Sequence, residues 1–257
     1  MASPLTPIAT LDALVLLARR AGAAVMKVYA SDFSVSGKAD ASPVTEADVR
    51  AEAIIVAGLK ALAPHIPIVA EEAMAAGAAP QIGKCFWLVD PLDGTREFIN
   101  RNGEFTVNIA LVEDGAPLAG VVFAPVIDQL YAGWVGQGAF IEVAGVRRAI
   151  ACRKPPTAGL VVVSSRSHGD EAALRAYLAG RQVASVAYAG SSLKLCLIAN
   201  AQADLYPRFG RTMEWDIAAG HAVLAAAGGR VDTLMGGALG YGKPGFENPH
   251  FVASGAR

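Results

Sequence analysis

With 257 residues, 53% of them apolar and 18% charged, the chain has material for one large hydrophobic core or two modest ones, and it is too apolar to be disordered. A formal net charge of -1 excludes attraction of nucleic acid by bulk charge, while small anionic substrates stay open wherever a metal supplies a local positive field. The mean hydropathy of +0.39 does not come from a membrane span, because the longest apolar stretch, residues 217–229, contains His221 and glycines and falls short of the roughly 20 residues a span needs.

No basic stretch followed by a cleavable apolar run marks the first residues for export. Cys85, Cys152 and Cys196 are odd in number and lack C-x-x-C spacing, so reduced, buried thiols are expected rather than disulfides or nucleophiles. The expected location is the cytoplasm, with peripheral contact to the cytoplasmic face of the inner membrane left open, since no basic amphipathic helix demands it.

Along the chain, Leu11, Leu14, Val15, Ala18 and Val25 recur at helical spacing and predict an amphipathic helix over residues 6–30. A second helix is predicted from Thr45 to about Leu62, stopped by Pro64. A short strand over 66–69 then delivers Glu71 and Glu72, and an apolar strand over 85–89 runs into Asp90. Strands over 105–112, 118–123, 129–134 and 139–143, the first two joined by a turn at Glu113 to Ala116, read as an antiparallel meander backed by the two early helices.

Beyond Arg153, Lys154, Pro155 and Pro156 the rhythm becomes alternating strand and helix, with strands over 160–164, 183–188 and 203–206 and helices over 169–178, 191–199 and 215–227. Such alternation predicts an α/β second lobe, so the chain divides into a lobe over 1–148 and another over 149–257. No internal repeat or low-complexity run is present.

The most informative stretch is Asp90-Pro91-Leu92-Asp93-Gly94-Thr95, two carboxylates on a strand-to-loop turn followed by a glycine that lets the backbone approach a charged group. A divalent cation such as Mg²⁺ needs several carboxylates from separate segments, and Glu71, Asp90, Asp93 and Asp216 supply them. Each has a plain alternative: Asp216 as an acid in a first helical turn, Glu72 as a solvated charge, Asp48 as the partner of Thr45 in a capping box, Thr95 as the cap of a helix starting near Arg96. His221, on an alanine-rich helix, is expected to be packed.

Asp90 to Thr95 together with Trp215-Asp216-Ile217-Ala218-Ala219-Gly220 resembles the paired motifs of the inositol monophosphatase superfamily of metal-dependent, lithium-sensitive phosphatases. Three further stretches, residues 97–108, Gly190-Ser191-Ser192-Leu193-Lys194 and Leu205-Tyr206-Pro207-Arg208-Phe209-Gly210, are similar to its 3'(2'),5'-bisphosphate nucleotidase branch of the CysQ type. The likeness runs from about Ser42 to the C-terminus. It implies an α+β fold, a layered α-β-α-β-α sandwich of the inositol monophosphatase/fructose bisphosphatase type in two lobes.

The resemblance also implies roles. Glu71, Asp90, Asp93, Asp216 and the Leu92 carbonyl would hold two or three Mg²⁺ ions, and Asp48 and Thr95 would orient and activate the attacking water. Gly94 and Thr95 amides would receive the scissile phosphate. Lys194 and Arg208 would clamp the second phosphate, aided by Ser191 and Ser192, while Ser167 and His168 would line the nucleoside pocket. The expected activity is hydrolysis of the 3'-phosphate of adenosine 3',5'-bisphosphate, with the sulfated analogue as a second substrate. Inositol monophosphatase or fructose 1,6-bisphosphatase activity is the alternative. The partner is then a small-molecule nucleotide, with no nucleic acid and no transmembrane segment, in a monomer or homodimer.

Overall fold

The computed structural model describes residues 5–37, 43–78, 80–166 and 170–256. The first lobe begins with helix α1, Pro7–Tyr29, and a small hairpin of β1, Val35–Gly37, and β2, Pro43–Thr45, which leads into α2, Glu46–Leu62. Strand β3, Ile68–Ala70, passes directly into the one-turn helix α3, Glu71–Ala75. Next come β4, Cys85–Asp93, the short helix α4, Thr95–Ile99, and five strands in hairpin succession: β5, Thr106–Glu113; β6, Ala116–Ala124; β7, Gln129–Trp134; β8, Gly138–Val143; and β9, Val146–Ile150. They form a seven-stranded sheet in the order β3-β4-β5-β6-β7-β8-β9, antiparallel except for the parallel β3–β4 pair.

The period-2 alternation of β4 to β8 sorts side chains onto two faces. Trp87, Val89, Ile109, Leu111, Val121 and Leu130 join the inner stripes of α1 and α2, including Leu14, Ala18, Val25 and Ile55. Phe86, Leu88, Ala110, Val112, Val122 and Tyr131 face the other way, into a core shared with the second sheet. Each fully buried Leu, Ile or Phe in these layers contributes roughly 1.5–3 kcal/mol of transfer free energy.

After the 151–159 segment the chain forms β10, Leu160–Ser165; α5, Glu171–Leu178; β11, Val183–Ala189; α6, Leu193–Ala199; β12, Leu205–Arg208; α7, Glu214–Ala226; β13, Arg230–Thr233; and β14, Phe251–Ser254. The sheet order is β11-β10-β12-β14-β13. Its first three strands are parallel, as alternation predicts, but β14 runs antiparallel to both β12 and β13. The sheet is mixed rather than purely α/β, because β13 and β14 are joined by a long loop instead of a crossover helix. Neither strand, nor β9 at the far edge of the first sheet, is predicted from the sequence pattern.

Helices α6 and α7 fill the middle layer and α5 covers the outer face of the second sheet through Leu174, Tyr177 and Leu178. The result is the expected layered α-β-α-β-α sandwich. Helix α7 comes close to the first sheet because Gly120 and Gly133 carry no side chain: a Cβ on Gly120 would sit 2.4 Å from the Ala219 carbonyl oxygen, and one on Gly133 2.8 Å from the Ala226 Cβ. Among the described residues no helix is long and apolar enough to cross a membrane.

Candidate active site

The cleft lies where the C-terminal end of β4, the starts of α3 and α4, and the N-terminal ends of α6 and α7 converge. It encloses about 690 Å³ and is lined by Glu71, Asp90, Leu92, Asp93, Gly94 and Thr95 from the first lobe and by Ser191, Ser192, Lys194, Arg208 and Asp216 from the second. Strand β4 does not stop at Val89. It continues to Asp93 through a bulge, with Asp90 opposite Asn108 and Asp93 opposite Thr106, so Pro91 and Leu92 drop out of the ladder. Asp90 Oδ1 closes the turn by accepting from Leu92 N at 3.0 Å.

Glu71, Asp90 and Asp216 bring carboxylate oxygens within 4.8 Å of one another. Like charges at such separation repel by about 3 kcal/mol per pair at an effective dielectric near 20. Burial first, then Glu71, Asp93 and Asp216, push Asp90 well above the usual carboxylate range, and burial with Asp93 and Glu71 does the same to Asp216. Asp93 is raised to about 6 by burial, against the opposing pull of Lys194 and the hydrogen bonds from Asn108 and Ser192. An all-oxygen, self-repelling donor set, with Asp90 buried and Glu71 and Asp216 half-buried, fits a hard divalent cation.

Two elements position the outer members. Glu71 opens α3, whose first-turn amides Glu72 N and Ala73 N donate to Glu52 of α2 at 2.7 and 2.9 Å. Asp216 sits in the first turn of α7, accepting from Met213 N at 2.8 Å as a helix-end acid does, and its carboxylate also lies beside those of Glu71 and Asp90. Asp48 is likewise placed at a helix start. Its Oδ2 accepts from Thr45 N at 2.8 Å and Thr45 Oγ1 at 2.7 Å, completing the capping box, while Oδ1 lies 3.4 Å from Thr95 Oγ1. Thr95 also reaches the Leu92 carbonyl at 3.3 Å. Thr95 is not a cap, however. Gly94, at φ 93°, holds the N-cap position of α4, and Thr95 is the first helical residue, because only glycine enters the left-handed region there without strain.

In the second lobe Ser191 adopts φ 48°, and its hydroxyl is buried with no hydrogen-bond partner among the described residues. The next residues begin α6, so the helix starts at Leu193 rather than Ser191. Ser192 N donates to Asp93 Oδ2 at 2.6 Å, and its hydroxyl donates to the Asp216 carbonyl. Lys194 is 6% exposed, donates to the Ser191 carbonyl and lies 5.4 Å from the Tyr206 ring centroid. Burial lowers its ammonium to about 8 despite Asp93, with Arg208 adding to the fall. Arg208 directs Nε to the Gly210 carbonyl at 3.2 Å and Nη2 to the Arg211 carbonyl at 2.9 Å, folding the 208–212 loop around itself. Ser167 and His168 lie outside the described residues.

Several residues of the site carry no sequence signal of their own. Glu52 sits mid-helix and reads as a solvated charge, and Asn108, the last residue of the 97–108 stretch that carries the resemblance, has no role assigned to it there and reads as one polar residue in an apolar strand. Met74, from a stretch that matches no motif, lines the cleft beside Trp215 and Tyr206. Glu104 accepts from Gly190 N at 2.8 Å and from both arms of Arg166 at 2.7 and 2.8 Å, tying the approach to β5 to the second sheet. Glu214, fully buried, accepts from Gly242 N and Lys243 N and pairs with the Lys243 ammonium at 2.7 Å. Of the groups left out of the chemistry, His221 and Cys196 are buried as expected, whereas Cys85 and Cys152 are half-buried. His221 is buried 3.0 Å from the Tyr241 hydroxyl, and all three thiols are free, with burial raising Cys85 and Cys196 and bringing Cys152 up to about 11.

The model of the inositol monophosphatase family matches residues 8–255. A 3'(2'),5'-bisphosphate nucleotidase CysQ of Shigella flexneri is 50% identical over 249 residues, 95% of this chain and 99% of that protein. The CysQ of Escherichia coli K12 is 49% identical over 249 residues, again 95% of this chain and 99% of that protein. Among solved structures, CysQ from Bacteroides thetaiotaomicron superposes with a TM-score of 0.81 at 35% identity, covering 97% of this chain and 98% of that one. An inositol monophosphatase from Anabaena reaches 0.76 at 26% identity, covering 96% and 91%. The chain belongs to the inositol monophosphatase family.

Proposed function

We propose that the protein is a 3'(2'),5'-bisphosphate nucleotidase that hydrolyses the 3'-phosphate of adenosine 3',5'-bisphosphate to AMP and phosphate, and acts on the sulfated analogue in the same way. The observation that carries this reading is Lys194, a buried cation on the same cleft as the carboxylate cluster and one turn from Ser191 and Ser192. A monophosphate substrate has no second charge to offset the desolvation of that ammonium; a bisphosphate does.

In this proposal Glu71, Asp90, Asp93, Asp216 and the Leu92 carbonyl hold two or three Mg²⁺ ions. When bound, the ions supply Lewis-acid charge for attack of water on phosphorus and for the negative charge growing on the leaving ribose oxygen. Asp48 accepts the Thr95 hydroxyl proton, which turns a Thr95 lone pair toward the proton of the attacking water. The Gly94 and Thr95 amides, at the start of α4, receive the scissile phosphate. Lys194 takes the 5'-phosphate with Ser191 and Ser192 adding donors. Arg208, through the carbonyls it holds, shapes the loop beside that phosphate as well as supplying charge. Ser167 and His168 are assigned to the nucleoside pocket. The lobe over 1–148 brings most cation ligands and the lobe over 149–257 the substrate clamps. A cytoplasmic location belongs to the same reading, in keeping with three unpaired cysteines.

The test is phosphate release from adenosine 3',5'-bisphosphate, inositol 1-phosphate and fructose 1,6-bisphosphate at equal Mg²⁺. The highest kcat/KM is expected for the nucleotide; preference for inositol phosphate or the sugar bisphosphate overturns the assignment.

A further inference from the structure

Asn108 is a poor structural residue for the place it occupies. It is 1% exposed at mid-strand in β5, directly opposite Asp90, with Val107 and Ile109 fully buried on either side. Its Oδ1 is buried without a hydrogen-bond partner, and all three contacts of its Nδ2 are long: 3.3 Å to Asp93 Oδ2, 3.2 Å to Ser192 Oγ and 3.5 Å to the Asp216 carbonyl. An orphaned buried acceptor costs the fold about 1–3 kcal/mol. The orientation of the amide is nonetheless fixed. Asp93 Oδ2 and the Asp216 carbonyl can only accept, and the Ser192 hydroxyl has its proton on the Asp216 carbonyl, so only the NH₂ end can face this trio.

We propose that Asn108 is a positioning residue for the cation site, locking the Asp93 carboxylate between the two lobes. Both donors that reach Asp93, Asn108 Nδ2 and Ser192 N, converge on Oδ2, leaving Oδ1 with no hydrogen bond among the described residues and available as a ligand. Because Ser192 precedes α6, which carries Lys194, and Asp216 belongs to α7, the same amide ties the Asp93 carboxylate to the start of the helix that bears the second-phosphate clamp and to the main chain of Asp216. Aspartate here would add another charge to a self-repelling cluster. Leucine would fill the volume and leave Asp93 held by Ser192 alone. The inference rests on the cation reading of the cluster given above.

The experiment compares wild type, Asn108→Leu, Asn108→Ala and Asp93→Asn by calorimetric titration with Mg²⁺ alone and by thermal melts in chelator. For Asn108→Leu, Mg²⁺ binding is expected to weaken at least about tenfold, the usual effect of removing a group that orients a ligand. Its metal-free melting temperature should stay equal or rise, because the orphaned acceptor is gone. In turnover, the Mg²⁺ requirement should rise more than kcat falls. Asn108→Ala should weaken Mg²⁺ in the same way, with a lower melting temperature from the cavity it leaves. A purely structural Asn108 gives the reverse pattern, lower metal-free stability with unchanged Mg²⁺ affinity in both variants, and that result overturns the proposal. Failure of the underlying reading looks different: wild type itself would not bind Mg²⁺, or Asp93→Asn would bind it as tightly as wild type.

Discussion

Asp93→Asn separates the two demands placed on the carboxylate cluster. The substitution is nearly isosteric, and the asparagine carbonyl can still accept from Ser192 N and Asn108 Nδ2, which both address one oxygen. What changes is the other end, where an NH₂ group replaces the oxygen available to a cation. Holding the Asp93 carboxyl at about 6 rather than the ordinary 3.8 makes its ionised form on the order of 3 kcal/mol less favourable in the metal-free folded state at neutral pH. Asp93→Asn removes that penalty, so in chelator the variant should melt higher than wild type, by about 3 °C for each kcal/mol recovered in a protein of this size.

The pH dependence has a definite sign. An acid whose folded-state pKa lies above its unfolded value weakens the fold fully above the folded pKa, and the effect shrinks as pH falls from the folded pKa and is gone only below the unfolded one. The advantage of Asp93→Asn should therefore be full at pH 7 and above and fade toward pH 5. Adding Mg²⁺ at a thousand times its Kd reverses the order: it stabilises wild type by about 4 kcal/mol, and the variant should gain little of this. Turnover should fall at least about a hundredfold. Scanning calorimetry with and without Mg²⁺ at pH 5 and pH 7.5, alongside phosphate release, makes the measurement. A variant that is less stable than wild type in chelator, yet responds to Mg²⁺ and turns over as wild type does, refutes the reasoning.

Two further outcomes are expected. Lys194→Met should raise KM for adenosine 3',5'-bisphosphate by about 10- to 100-fold, the loss of one charge-assisted contact of roughly 1.5–3 kcal/mol, while 3'-AMP, which lacks the second phosphate, is turned over almost as by wild type; equal losses on both substrates would remove Lys194 from the 5'-phosphate clamp. Burial holds the His221 imidazole down at about 4, so it contributes stability that is present above its ordinary 6.5 and lost as pH falls toward 4, worth up to about 3 kcal/mol. Wild type should thus lose more melting temperature than His221→Gln between pH 7.5 and pH 4.5, and parallel losses would place the acid sensitivity elsewhere.

What the sequence reveals and what it hides divide along physical lines. Helices α1 and α2 are legible because their inner stripes repeat at helical spacing over many residues, and the β5 to β8 meander because short turns join alternating strands. Strand β9 is hidden because four of its five residues are exposed, two of them arginines. Strands β13 and β14 are hidden because their pairing spans a loop with no local signature. In the site, Asp90, Asp93 and Asp216 are legible as carboxylates at element ends. Glu52 and Asn108 are not, because their meaning comes from partners 20 and 15 to 108 residues away. Asp48 and Asp216 show why the plain and the chemical readings need not compete, since one oxygen caps a helix while the carboxylate as a whole faces the cleft or its threonine.

The central claim is that water attacks the 3'-phosphorus while the second lobe holds the 5'-phosphate, and hydrolysis of adenosine 3',5'-bisphosphate in ¹⁸O-labelled water with Mg²⁺ tests it most directly. The expected nucleotide product is 5'-AMP, with the label in inorganic phosphate and none in the nucleotide. Formation of 3'-AMP, or label in the ribose hydroxyl, would contradict it.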